Sequence, residues 1–155
     1  MADLVEVKLA ELGISLPEPA APIATYVPYV VTGDLVAISG QLPLLGGKVS
    51  VTGKLGATVP LEQGQQAAQR CFINLLAHLK GACAGDLDRV RRVVRLGGFI
   101  ACTPEFTRHA EVMNGASDLA VAVFGEAGRH ARTTIGVSSL PLDAAVEVEG
   151  WFEIF

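Results

Sequence analysis

Residues 130–149 read HARTTIGVSSLPLDAAVEVE. On both sides of the Leu-Pro-Leu-Asp segment at 140–143, apolar and polar side chains alternate, which is the period of a β-strand. The pattern predicts two strands, Ala131–Ser139 and Ala144–Ile154, that are joined by a turn at this segment. Because the connection is short, we expect the two strands to pair with each other as a hairpin.

The alternation also assigns side chains to the two faces of this hairpin. With Ser139 opposite Ala144, the apolar face carries Thr133, Ile135, Val137, Val146, Val148, Gly150, Phe152 and Ile154. The opposite face carries Arg132, Thr134, Gly136, Glu147, Glu149 and Trp151. A shift of the register by one residue would bury Glu147 among valines, which the burial of charge disfavours.

Arg132 and Glu147 on one polar face suggest a site for a small anion. A guanidinium binds a carboxylate through two parallel hydrogen bonds, and a nearby glutamate can orient or deprotonate a water molecule. The alternative is an exposed ladder of salt bridges with no ligand. The pattern by itself leaves both interpretations open.

The rest of the chain adds strands before this hairpin and helices between them. We predict helices over 3–13, with Asp3 as N-cap, over 61–83, and from Pro104 to about Phe124. Further strands are predicted at Tyr26–Val31, Leu35–Ser39, Gly46–Thr52 and Arg89–Ala101, and a proline-rich connector at Leu16–Ala24. This order predicts an α+β fold with both long helices on one face of a mixed sheet. The other face is left for water or a partner.

Composition excludes several classes of protein. Of 155 residues, 18% are charged and 50% hydrophobic, which is more apolar than a small monomer usually is. The net charge of −4 argues against nucleic-acid binding by bulk electrostatics. No apolar run is long enough to cross a membrane, and no targeting segment is recognisable. Three cysteines without a CxxC spacing favour a reducing, cytoplasmic location over a disulfide framework or a zinc site.

Residues 130–149 resemble the C-terminal signature of the RidA/YjgF family of reactive-intermediate deaminases, also known as endoribonuclease L-PSP. That signature has the form P-A-R-x-x-x-x-V-x-x-L-P-x-D-A-x-V-E-V-E. Ile38-Ser39-Gly40-Gln41 matches the S-G-Q turn of the family, and Asn114 matches a position in its second helix. The resemblance spans residues 26–155, which we take as the RidA/YjgF-like domain, and leaves an added helix and connector at 1–25.

The resemblance implies a chorismate-mutase-like fold with a mixed six-stranded sheet, a homotrimer, and ligand sites in clefts between subunits. It implies that Arg132 binds the carboxylate of a 2-aminoacrylate-type enamine or its imine, and that Glu147 positions the attacking water. It also implies that the cleft is lined by Tyr26, Ser39, Gly40 and Asn114, with Thr134 where many members have cysteine. The substrate is then a small carboxylate, with no metal or organic cofactor.

Two other functions remain open on the residues. One is a non-catalytic trimer that binds a keto acid or regulates a partner. The other is RNA cleavage, suggested by the family's older name and by Arg89, Arg91, Arg92 and Arg95. Asp86 and Asp88 beside these arginines favour a salt-bridged strand instead.

The remaining polar and sulfur-containing residues are given simpler roles. We expect His78 and His109 on the surface, His130 near the edge of the cleft, Cys71 in the core and Trp151 at an interface.

Overall fold

The computed structural model describes residues 3–19 and 24–155, and the elements below are those of this part of the chain. The α-helices are α1 (Leu4–Glu11), α2 (Leu61–Ala82) and α3 (His109–Phe124). The strands are β1 (Tyr29–Thr32), β2 (Leu35–Gln41), β3 (Leu44–Leu45), β4 (Lys48–Val49), β5 (Val90–Ala101), β6 (Ala131–Val137) and β7 (Val146–Ile154). These elements confirm the predicted α+β class.

Helix α2 forms the centre of the core, as its apolar period predicts. The predicted inner face is fully buried: Ala68, Cys71, Phe72, Leu75, Leu76 and Leu79. The prediction that His78 lies on the surface is wrong, because only 3% of this side chain is exposed. The outer side of α2 is also covered, since Asn74 donates hydrogen bonds to the carbonyls of Leu42 and Leu44. Burial lowers the pKa of His78.

Five strands form the main sheet of the described residues, in the order β1-β2-β7-β5-β6. The β5–β6 pair is parallel and the other neighbours are antiparallel, so the sheet is mixed. The predicted sixth strand at Gly46–Thr52 does not join it. Gly46 and Gly47 both have positive φ, at 61° and 81°, and turn β4 back onto β3 as a separate ribbon.

The predicted pairing of the two C-terminal strands is wrong, because β5 lies between β6 and β7. Helix α3 connects β5 to β6, and a strand-helix-strand connection of this kind places the two strands parallel. The chain then crosses to the other edge of β5, where β7 pairs with it from Val90↔Ile154 to Ile100↔Val146. Leu142 and Asp143 adopt positive φ in this crossing segment.

This topology reverses the predicted face of β6 and leaves that of β7 as predicted. Val146, Val148, Phe152 and Ile154 face the helices and are buried. On β6, Arg132 pairs with Leu96, a core residue, and its side chain therefore points towards α3. Arg132 and Glu147 thus lie on opposite faces of the sheet, contrary to the prediction.

Helix α1 docks on the core through Leu9, of which 2% is exposed. Asp3 precedes the helix as predicted, but its side chain makes no capping hydrogen bond. The cap comes from Asp88, whose carboxylate accepts hydrogen bonds from the backbone N–H groups of Leu4 and Val5, both at 2.9 Å. The free backbone N–H groups at the start of α1 are therefore satisfied by a residue that is distant in the sequence.

Candidate functional site

Arg132 is held against α3 by three hydrogen bonds. Its Nη1 donates to Asn114 Oδ1 at 2.9 Å and to Ser117 Oγ at 3.1 Å, and its Nη2 donates to the Ala110 carbonyl at 3.4 Å. A guanidinium carries five N–H donors. Within the described residues, the Nε hydrogen and one Nη2 hydrogen have no acceptor. These two form the fork that a carboxylate accepts side-on.

Ser117 and His130 orient this guanidinium from behind. Ser117 Oγ lies 2.9 Å from His130 Nε2, and His130 Nδ1 lies 2.6 Å from the Gly128 carbonyl. Burial lowers the pKa of His130. We assign the His130 proton to Nδ1, so that Nε2 accepts from the Ser117 hydroxyl and Ser117 Oγ accepts from Arg132. The sequence prediction missed Ser117, although its spacing of three from Asn114 places both on one face of α3.

Thr134 lies two residues beyond Arg132 on the same face of β6 and pairs with Gly98. Its Oγ1 is buried and has no hydrogen-bond partner among the described residues. A buried hydroxyl without a partner is unfavourable. Arg132, Asn114, Ser117 and Thr134 are together called the arginine cluster below.

Glu147 lies on the open face of the sheet, beside a bulge in β2. The register of β2 against β7 shifts between Ile38 and Gln41, and Gly40 in this bulge abuts the Glu147 carboxylate. A Cβ at Gly40 would overlap that carboxylate, so glycine is needed here. Burial, and then the charge of Glu149, raise the pKa of Glu147.

Ser39 ties the segment before β1 to the same bulge. Its hydroxyl donates to the Val27 carbonyl at 2.8 Å, and its N–H donates to the Pro28 carbonyl at 2.9 Å. Tyr26, predicted within a strand, precedes β1 and is 50% exposed. Glu147, Gly40 and Ser39 are called the glutamate cluster below.

The two clusters are separated within one chain. Arg132 pairs with Leu96 on β5, whereas Glu147 pairs with Phe99. Two inter-strand spacings amount to about 10 Å across the sheet, and three residues to about 10 Å along it. Because the clusters also face opposite sides, one small ligand cannot contact both clusters of the same chain.

The arginines near the start of β5 contact the chain's own C-terminal region and the turn after α3. Arg89 donates to the Phe155 carbonyl at 3.1 Å, and Arg92 donates to that of Arg129 at 3.0 Å. Arg91 lies 3.9 Å from Glu153 and stacks over the Phe155 ring. These contacts give three of the arginines structural roles.

The family model described as "YjgF/chorismate mutase-like, putative endoribonuclease" matches residues 6–154. The chain belongs to this family. The family assignment made from residues 130–149 is therefore confirmed, and the strand order described above is the form its sheet takes in this member.

Relatives in the family carry different names. The chain is 47% identical to Protein TCP17 of Trypanosoma cruzi over 97% of its own length and 94% of the relative's. It is 30% identical to a 2-iminobutanoate/2-iminopropanoate deaminase of Dermatophagoides farinae, over 88% and 91% of the two chains.

The fold also matches a solved structure. The crystal structure of Agrobacterium tumefaciens Atu1372, a protein of unknown function, superimposes with a TM-score of 0.93 at 46% identity, covering 99% of this chain and 94% of that one. In the described part of this family member, no helix is both long and apolar enough to cross a membrane.

Proposed function

We propose that the protein hydrolyses small enamine or imine derivatives of 2-keto acids, in clefts formed between copies of the chain in a homotrimer. The observation that carries this proposal is the unused donor fork of Arg132, held by Asn114 and Ser117. A family relative named as a 2-iminobutanoate/2-iminopropanoate deaminase supports the same chemistry.

Arg132 binds the substrate carboxylate. Its two unused N–H groups make parallel hydrogen bonds to the two carboxylate oxygens, which fixes the plane of the substrate as well as its position. Asn114 keeps the guanidinium in place through its Oδ1. The buried Thr134 hydroxyl, which lacks a partner in the described part of the chain, donates to the bound substrate.

Glu147 holds the attacking water. Burial raises the pKa of this carboxyl group, and a general base or acid transfers protons best when its pKa lies near the working pH. Gly40 leaves the carboxylate room to reach the ligand, since any side chain there would occupy its place. Ser39 and Tyr26 line the same side of the cleft.

A second copy of the chain completes the site. The arginine cluster and the glutamate cluster face opposite sides of one sheet, so a cleft that contains both takes one cluster from each of two neighbours. The open face carries exposed apolar side chains that association would bury, among them Trp151 at 41% exposure and Ile135 at 47%. A closed ring of such contacts produces a symmetric trimer.

The reaction starts when the enamine takes a proton on its β-carbon and loses one from its nitrogen, which gives the imine. Water then adds to the imine carbon: a C–O bond forms, the C=N π pair moves to nitrogen, and the water proton passes to Glu147. Glu147 returns that proton to the nitrogen, which gives the carbinolamine. The hydroxyl proton of the carbinolamine then passes through Glu147 to the nitrogen, the C=O bond forms as the C–N bond breaks, and ammonia leaves with the 2-keto acid. Orientation of the acid and of the water supplies the catalysis.

The test is the rate of keto-acid release from freshly generated 2-iminopropanoate and 2-iminobutanoate, compared with their spontaneous hydrolysis. We expect acceleration by the wild type and none by Arg132→Ala. For Glu147→Gln we expect a decrease in kcat that is larger than any increase in KM. Arg129→Ala is the matched control, because Arg129 is exposed and pairs only with Glu126 at the surface of the described chain.

Absence of acceleration by the wild type with both imines would contradict the deaminase proposal. If a 2-keto acid then bound the wild type but not Arg132→Ala, the protein would be a non-catalytic binder instead. Saturation binding of the keto acid, measured by calorimetry, separates these two results.

A further inference from the structure

A groove of about 540 Å³ opens at the end of β5 and β6, beyond the arginine cluster. Its lining includes Cys102, His109, Lys54 and Phe106. The proposed deaminase chemistry uses none of these side chains.

Cys102 and His109 form a hydrogen-bonded pair in this groove. Cys102 Sγ lies 3.4 Å from His109 Nε2. The His109 ring is held edge-on against Phe106, with 5.4 Å between the ring centroids. In the His109 tautomer with its proton on Nδ1, Nε2 accepts the thiol proton. A thiol beside a histidine that can take its proton is the arrangement of an activated nucleophile.

Gly136 makes this pairing sterically feasible. A Cβ at Gly136 would lie 2.5 Å from His109 Nε2 and 2.7 Å from Cys102 Sγ. Any larger residue at this position of β6 would force the imidazole and the thiol to move. The pair therefore depends on glycine at position 136. Gly136 does not have a positive φ, so the backbone itself does not require a glycine there.

The other two cysteines have no comparable setting. Cys71 and Cys83 are both fully buried, and Cys71 Sγ is directed to the Val146 carbonyl. Partial burial raises the pKa of Cys102, so at neutral pH it is a thiol that needs a proton acceptor before it can attack. His109 Nε2, 3.4 Å from the thiol sulfur, is close enough to be that acceptor.

Lys54 supplies the positive charge in the lining of this groove. The backbone around it is fixed beside β5, because the Leu55 N–H donates to the Ala101 carbonyl at 2.9 Å and the Leu55 carbonyl accepts from Thr103 N–H at 3.0 Å. Lys54 forms no ion pair with any residue that the structure describes. Its ammonium group thus remains available to an anionic ligand in the groove.

We propose that this groove is a second reactive site, in which Cys102 is the nucleophile and His109 its base, for a small α,β-unsaturated carbonyl compound that bears a carboxylate. The thiol proton moves to His109 Nε2, Sγ forms a bond to the β-carbon, and the C=C π pair moves to the α-carbon. That carbon takes the proton from His109, so the addition is complete without an oxidant or cofactor. Lys54 pairs with the carboxylate.

The first test is labelling of the native protein with N-ethylmaleimide, followed by mass spectrometry of its peptides. We expect labelling at Cys102 while Cys71 and Cys83 stay unmodified until the protein is denatured. His109→Gln is expected to slow the labelling of Cys102 by roughly tenfold or more, with equal rates for both proteins in denaturant. If His109→Gln fails to fold, Gly136→Ala separates the same pair and should show the same loss.

The second test compares N-ethylmaleimide with 3-maleimidopropionate, which has the same reactive ring and adds a carboxylate. We expect Lys54→Gln to lower the rate with the anionic reagent, relative to the neutral one, by roughly fivefold. Labelling of Cys102 no faster than the buried thiols, or an unchanged rate in His109→Gln, would overturn the nucleophile-base pair. An unchanged ratio in Lys54→Gln would overturn the anionic ligand class.

The proposal of a reactive groove and the proposal of a deaminase site can be contradicted independently of each other. Cys102→Ser should abolish labelling by both maleimides and leave imine hydrolysis at the wild-type rate.

Discussion

Gly40 and Glu147 show how the backbone at one residue affects the pKa of another residue. The bulge at Gly40 allows the Glu147 carboxylate to lie close against β2, where it loses water and faces Glu149. Both effects favour the neutral acid, with burial the larger of the two. The raised pKa brings this carboxyl group nearer to the range in which it exchanges protons at neutral pH, and it costs folded-state stability where the group is ionised.

We predict that Glu147→Gln stabilises the protein at high pH. Because the pKa of Glu147 is raised in the folded state, stability decreases as the pH rises from the ordinary glutamate value through the raised one. Glutamine removes this loss, so the Tm of the variant should exceed that of the wild type at pH 8 by up to about 4 °C. The advantage should shrink towards pH 4, because the wild-type carboxyl group becomes protonated as the pH falls through its raised pKa.

Thermal unfolding at the two pH values measures the effect. Glu105→Gln is the control, since Glu105 is exposed in the loop before α3 and forms no ion pair with the described residues. A Glu147→Gln variant that is less stable than the wild type at pH 8 would mean that the charged carboxylate has a stabilising partner.

Helix α1 is a short element whose stability depends on distant residues. Eight residues are too few for an independent helix in water. Leu9 supplies the packing, and Asp88, in the turn before β5, supplies the cap. The start of the helix and the start of β5 are thereby linked.

We predict that Asp88→Ala loosens α1. Loss of the two hydrogen bonds to Leu4 and Val5 should lower the free energy of unfolding by about 1 kcal/mol, as other lost helix caps do. Amide hydrogen exchange over residues 4–11 should become faster, with little change in α2. Asp3→Ala is the matched control, because the Asp3 side chain makes no capping hydrogen bond. Equal effects of the two substitutions would show that the negative charge near the start of α1, and not the capping hydrogen bonds, stabilises the helix.

The molecule as a whole has a covered face and an open one. Helices α2 and α3 cover one side of the sheet, and the low content of charged residues, 18%, leaves many apolar side chains on the surface. Trp151 and Ile135 both belong to the open face. The proposed trimer uses this face to bring the arginine cluster of one copy to the glutamate cluster of the next.

We predict that Trp151→Glu combined with Ile135→Glu prevents assembly and abolishes imine hydrolysis together, because the proposed site takes one cluster from each of two copies. Light scattering after gel filtration should give three times the 16.2 kDa chain mass for the wild type and a single chain for the variant. Val7→Glu is the control, since Val7 is also exposed but lies on α1. A monomeric wild type that hydrolyses imines would contradict the proposed cleft.

Local patterns in the sequence correctly predicted those elements whose buried and exposed faces follow from their own periodicity. The 3.6-residue period of α2 identified its buried face, and the alternation in β7 placed Val146 and Val148 inside and Glu147 outside. The motif over residues 130–149 led to the family. The anion-binding role of Arg132 and the water-binding role of Glu147 remain predictions.

The tertiary structure decided which strands are neighbours. The strand order in turn decided on which face of the sheet each side chain lies. The short connection between β6 and β7 suggested a hairpin, but the crossover through α3 brings β6 to one edge of β5 and leaves the other edge to β7. The direction of Arg132 is therefore set by its pairing with Leu96, a contact between residues far apart in the chain. Alternation along one strand fixes only relative directions, so the sequence determined the elements, the family and the outward face of Glu147, and long-range pairing determined where Arg132 points.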